Sequence, residues 1–107
     1  MSASLSGKKL GVLLSTPPAS ANFKPVLALI HSAVDAGVTV YFYCIDEAVH
    51  CVHTPEVQAL KARGVHLFGC AYGAHEHHVA VDDSAAFSGL TVVSDIIANT
   101  DRFVSFN

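Results

Sequence analysis

Apolar positions along this chain follow two periods, and the switches between them mark its elements. Leu10-Gly11-Val12-Leu13-Leu14 is a continuous apolar run bounded by Lys9 and by Ser15-Thr16-Pro17-Pro18, the pattern of a strand buried on both faces. From Asn22 the apolar residues Phe23, Val26, Leu27, Ile30 and Val34 recur at three-to-four spacing up to Gly37. This predicts an amphipathic helix with a glycine just past its end. Val38-Thr39-Val40-Tyr41-Phe42-Tyr43 is β-branched and aromatic, so a second strand completes a βαβ unit.

The second half repeats the alternation less clearly. Between Cys44 and His53 the signal is weak, with Asp46-Glu47-Ala48-Val49 opening a short helix. Thr54-Pro55-Glu56 is a sharper start: an N-cap hydroxyl, a proline at the first helical position and an acid near the positive end of the dipole. Gly64 closes that helix after Arg63. Val65-His66-Leu67-Phe68 reads as a strand that gives way to Gly69-Cys70-Ala71. Residues 71–87 have no clean period and read as a short helix followed by an excursion over the surface. Leu90, Val92, Val93, Ile96 and Ile97 mark a helix after Ser88-Gly89, and Arg102-Phe103-Val104-Ser105-Phe106 a last strand. Strands and helices alternating over short links predict a single domain over 1–107. Its expected form is a three-layer α/β/α sandwich around a small, mainly parallel sheet of four to five strands.

Composition adds a constraint on the surface. The chain is 51% hydrophobic and 14% charged, against a usual charged share of about 25%. That is little charge to cover a monomer, and a small sheet also leaves edges to shield, so self-association is expected. A net charge of −3, with six basic residues in no cluster, offers no stripe to track phosphates and argues against nucleic acid and anionic membranes. Met1 to Lys9 lacks an apolar leader segment, so no signal peptide is expected, and no uninterrupted apolar stretch reaches about 18 residues. A cytoplasmic location follows. In that reducing compartment three cysteines without C-x-x-C spacing are expected to be thiols.

Among candidate chemistries, phosphate binding fails first. Neither G-x-x-x-x-G-K-[ST] nor G-x-G-x-x-G occurs, and Ser15-Thr16-Pro17-Pro18-Ala19-Ser20 lacks the glycines that wrap a pyrophosphate. Cys70 has a stronger case, because it ends a buried strand where open α/β sheets place reactive groups and where the next helix's amides stabilise a thiolate. The alternative is an inert small hydrophobe. Cys44 and Cys51 read as packing residues, with Cys44, at the end of its own strand, a candidate to face the same crevice as a resolving partner. His75, His77 and His78 present imidazoles for zinc or copper, but H-x-H-H is not a structural-zinc spacing, so a solvated loop or subunit contact is the simpler reading and no metal or cofactor is expected. Tyr41, Phe42 and Tyr43 alternate across a strand and read as core and interface aromatics rather than a stacking platform. Tyr72, two residues past Cys70, either hydrogen-bonds near the thiolate or caps its pocket.

These residues carry a resemblance over nearly the whole chain. The opening strand and helix through Ala36-Gly37-Val38, then Tyr41-Phe42-Tyr43 and a loop to Thr54-Pro55, the strand delivering Cys70-Ala71, Phe87-Ser88-Gly89-Leu90, and Asp101-Arg102-Phe103-Val104 together resemble the DsrE/DsrF family, which includes the TusD-type subunits of sulfur relay. The resemblance implies a DsrEFH-like, flavodoxin-related α/β/α domain, cytoplasmic, assembling into trimers, hexamers or mixed complexes. It also implies that the cysteine matched by Cys70 carries sulfur as a persulfide between donor and acceptor proteins, as a sulfurtransferase would. Where TusD-like members continue with small residues and arginines, this chain has Tyr72-Gly73-Ala74-His75-Glu76-His77-His78, so basic help for the thiolate would come from His75. Two other functions compete: a non-catalytic metal-binding or regulatory oligomer working through His75 to His78, and a cysteine hydrolase of the DJ-1 type. The latter is disfavoured because Gly69-Cys70 does not form a G-x-C-x-G elbow.

Overall fold

The computed structural model describes residues 4–107; residues 1–3, part of the segment expected to lack a signal peptide and of the expected 1–107 domain, lie outside the described residues. The elements run β1 (Lys9–Leu14), α1 (Phe23–Asp35), β2 (Thr39–Cys44), a 3-10 helix (Asp46–Cys51), α2 (Pro55–Ala62), β3 (His66–Cys70), α3 (Ala71–Glu76), β4 (Ala86–Ser88), α4 (Thr91–Asn99) and β5 (Arg102–Phe106). All five strands are parallel, in the order β4-β3-β2-β1-β5.

Strand order and handedness fix the layers. From β1 to β3 the chain steps one way across the sheet, so right-handed crossovers put α1 and α2 on the same face. From β4 the chain must return past three strands to reach β5, which puts α4 on the other face. The pleat then sorts side chains by parity. Val12, Leu14, Val40, Phe42, Cys44 and Leu67 pack against Phe23, Val26 and Ile30 of α1 and Val57 and Leu60 of α2. Tyr43, Val49, Cys70 and Ile96 form the second cluster, flanked by half-buried Leu13, Tyr41, Phe68 and Phe103.

Local chemistry explains most element ends. The Thr54 hydroxyl accepts from Val57 N at the start of α2, Pro55 takes the first helical position, and Gly64 follows at φ 97°. Gly37 ends α1 in the same way at φ 82°. At the start of α1 no side chain caps the helix; the Asn22 amide instead donates to Asn107 O at 3.1 Å. The segment read as a surface excursion holds a fifth strand, β4. Only three residues long and on an edge, it has no apolar run to betray it; its place comes from pairing Phe68 with Ala86 and Cys70 with Ser88. Among the described residues no helix is long and apolar enough to cross a membrane.

One close approach and two buried thiols test this architecture. A Cβ on Gly11 would lie 2.6 Å from Ile96 Cγ2 and 2.7 Å from Phe103 Cδ1, so α4 is seated directly on β1. Gly11→Ala is expected to cost about 1–3 kcal/mol in urea denaturation, because β-branched and aromatic neighbours have little freedom to give; an unchanged midpoint would place α4 farther from the sheet. The second test concerns the buried thiols of Cys44 and Cys51. Burial pushes Cys51 from 9.0 up to about 12, and it pushes Cys44 well above its ordinary value, helped by the nearby Cys51. Folded-state values that are raised give stability that is intact below pH 9.0 and lost as pH climbs towards about 12. Thermal unfolding should therefore decline across that window, and less steeply in Cys51→Ala; equal slopes would refute this contribution.

Candidate functional site

Cys70 is the last residue of β3 and the N-cap of α3. Its extended backbone (φ −72°, ψ 118°) turns the side chain back over the first helical turn, and Sγ accepts a hydrogen bond from Gly73 N at 3.4 Å. The thiol thus takes the place a hydroxyl or carboxylate takes at an ordinary cap. Gly73 lets this turn lie against the 3-10 helix: a Cβ there would sit 3.2 Å from Val49 Cγ1 and 3.4 Å from Asp46 N. Asp46 adopts φ 53°, a left-handed conformation that aspartate tolerates better than most residues. Cys70 is 5% exposed, packed among Tyr43, Val49 and Ile96.

Tyr43 is the partner that composition and period do not reveal. It is fully buried on the same face as Cys70, and its hydroxyl reaches across the end of β3 to donate to Ser88 O at 3.1 Å and Gly89 O at 3.3 Å. Its pKa is pushed up to about 12, first by burial and then by the charge and hydrogen-bonding of the adjacent Cys70, with Ser88 acting in the opposite sense. The phenol therefore keeps its proton at neutral pH and remains a donor. Ser88 is the register partner of Cys70, and side chains of partners in a parallel pair share a face. Its Oγ is shielded from solvent and has no hydrogen-bond partner, a condition that costs about 1–3 kcal/mol.

The other sequence candidates are dispersed. Tyr72 is 72% exposed and engages Glu76, whose hydrogen bond raises the phenol's pKa; it does not cover the thiol. His75 lies exposed in the last turn of α3 and makes no hydrogen bond to Cys70. Cys44 does not share a crevice with Cys70. One residue's difference in parity puts it on the α1/α2 face with Cys51, whose Sγ is 3.7 Å from Thr16 O. His77 meets His50 edge-on, with ring centroids 5.2 Å apart, and among the described residues no three His, Cys, Asp or Glu side chains gather at a metal-binding distance.

The usual ligand crevice of such a sheet lies where successive crossovers diverge, here between β1 and β5. Hydrogen bonds close it: Ser15 N donates to Phe106 O at 3.0 Å and Ser15 Oγ to Asn107 Oδ1 at 3.0 Å. A roomier concavity, about 510 Å³, lies beside Leu10, Ala33 and Arg102 at the opposite end of the sheet from Cys70. Cys70 thus sits in a packed rim, two strands from the crevice.

Comparison with known protein families and with curated proteins finds no significant match. Solved structures do match. The YchN protein from E. coli aligns over 92% of this chain and 98% of its own, at 15% identity and a TM-score of 0.75. BT1422, a conserved protein of unknown function from Bacteroides thetaiotaomicron, aligns over 92% and 95% at 14% identity and a TM-score of 0.75. With the parallel five-stranded sheet and its helices, these likenesses show that the chain has the DsrE/YchN-like fold.

Proposed function

We propose that this chain is a cytoplasmic sulfur-relay protein that takes up sulfane sulfur on Cys70 as a persulfide and passes it to an acceptor thiol, within an assembly of its own copies or with related subunits. The observation that carries the reading is the Cys70 sulfur accepting the Gly73 N–H at the carboxyl rim of the sheet, beside a phenol that stays protonated. Persulfide transfer needs a thiolate and donors that steady it. It needs no metal or nucleotide, and three free cysteines suit a reducing compartment. At 5% exposure, sulfur reaches Cys70 only when α3 or the 3-10 helix yields, or when a partner protein draws the rim open. The resemblance to DsrE/DsrF proteins and the DsrE/YchN-like fold support the same reading.

Self-association is supported by the thin covering of the Tyr43 face. A single nine-residue helix, α4, spans it, with Leu90 at 59% and Ile97 at 51% exposure on or beside that helix. Apolar groups there suit burial against a second copy.

Incubation with a persulfide donor followed by mass spectrometry should add about 32 Da per sulfur to Cys70 and nothing in Cys70→Ala; sulfur on Cys44 or Cys51 instead would reject the assignment. Sedimentation should give a multiple of 11.3 kDa, a trimer or hexamer, reduced by Ile97→Glu. A wild-type mass near one chain would remove the assembly from the proposal.

A further inference from the structure

Three groups from three strands converge at the Cys70 rim, and the thiol's own helix cap uses only one donor. Gly73 N serves the Sγ atom itself. A sulfur added to Cys70 lies one S–S bond farther out, about 2.0 Å, and adjacent strands are only about 4.8 Å apart. The side chain standing next to Cys70 across that gap is Ser88, whose buried Oγ has no partner. On the other flank, the Tyr43 hydroxyl shares its single hydrogen between the carbonyls of Ser88 and Gly89. Either carbonyl can release it when a stronger, anionic acceptor arrives.

We propose that Ser88 and Tyr43 are positioning residues for the carried sulfur, their hydroxyls donating hydrogen bonds to the terminal sulfur of a Cys70 persulfide. This rests on the sulfur-relay reading and names the residues that hold its cargo. In the loading step the Cys70 thiolate attacks the outer sulfur of a donor persulfide, R–S–S–H. A Cys70 S–S bond forms, the donor's S–S bond breaks, and R–S⁻ leaves. The departing thiolate takes the proton of the new persulfide and becomes R–SH, leaving Cys70–S–S⁻ between the two hydroxyls. No net electrons are gained or lost. The unpartnered Ser88 oxygen is then the empty state of a site that is satisfied when sulfur is aboard. The Tyr43 phenol, protonated up to about 12, is available as a donor throughout the physiological range.

The test loads wild type, Ser88→Ala, Ser88→Thr and Tyr43→Phe with glutathione persulfide, and follows the sulfur on Cys70 by intact mass as a thiol acceptor removes it. Loss of one hydrogen bond to a charged sulfur should shorten retention about tenfold in Ser88→Ala and in Tyr43→Phe, and Ser88→Thr should restore it. Rescue by Ser88→Thr, which returns the hydroxyl, is a readout that a purely structural role would not move. Ser88→Ala removes only an unpartnered oxygen, so it decides the matter if Tyr43→Phe fails to fold. Wild type that loads and releases sulfur at the same rate as Ser88→Ala overturns this inference while leaving the relay intact. Wild type that takes up no sulfur on Cys70 overturns the relay itself.

Discussion

The register of β3 between its two neighbours governs everything at the rim of this sheet. Tyr43 pairs with Phe68 and Cys70 with Ser88, and because a strand's side chains alternate, those pairings put Tyr43, Cys70 and Ser88 on one face. A slip of one residue would turn Cys70 towards α1 and α2 and leave Gly69 under the phenol. Gly69 holds the register from the other side, since a Cβ there would lie 2.7 Å from the Phe87 ring. β4 has only three residues, yet it supplies both the carbonyl that ties Tyr43 and the hydroxyl beside the thiol.

The two faces are built for different ends. On the α1/α2 face, two helices and a dense cluster of fully buried residues enclose Cys44 and Cys51, and burial holds both thiols protonated. These cysteines behave as small hydrophobes. On the opposite face a nine-residue helix leaves Tyr41, Phe68 and Phe103 half-buried. There Cys70 receives the Gly73 N–H and lies beside a phenol that keeps its proton and donates it to the carbonyls of Ser88 and Gly89.

Most of the architecture was legible because its signals are local. The apolar run of β1, the period of α1, the Thr54-Pro55 start of α2 and the glycines at 37 and 64 each act within a few residues, and the structure has them all. Cys70 at a strand end was legible for the same reason. β4 was not, since Ala86-Phe87-Ser88 is too short to show a period and becomes a strand only by pairing with β3. Tyr72 and His75 are sequence neighbours of Cys70, yet the helical turn after Cys70 carries Tyr72 out to Glu76 and leaves His75 exposed.

By itself, then, the sequence determined the order and type of most elements and that Cys44 and Cys70 each end a strand at the carboxyl rim, because caps, periods and turn residues work on neighbouring positions. Only the tertiary structure decided what stands around Cys70. Tyr43 and Ser88 lie 27 and 18 positions from Cys70 along the chain, and no local rule couples residues so far apart. They meet through strand pairing, crossover handedness and the pleat, which act across the sheet rather than along the chain.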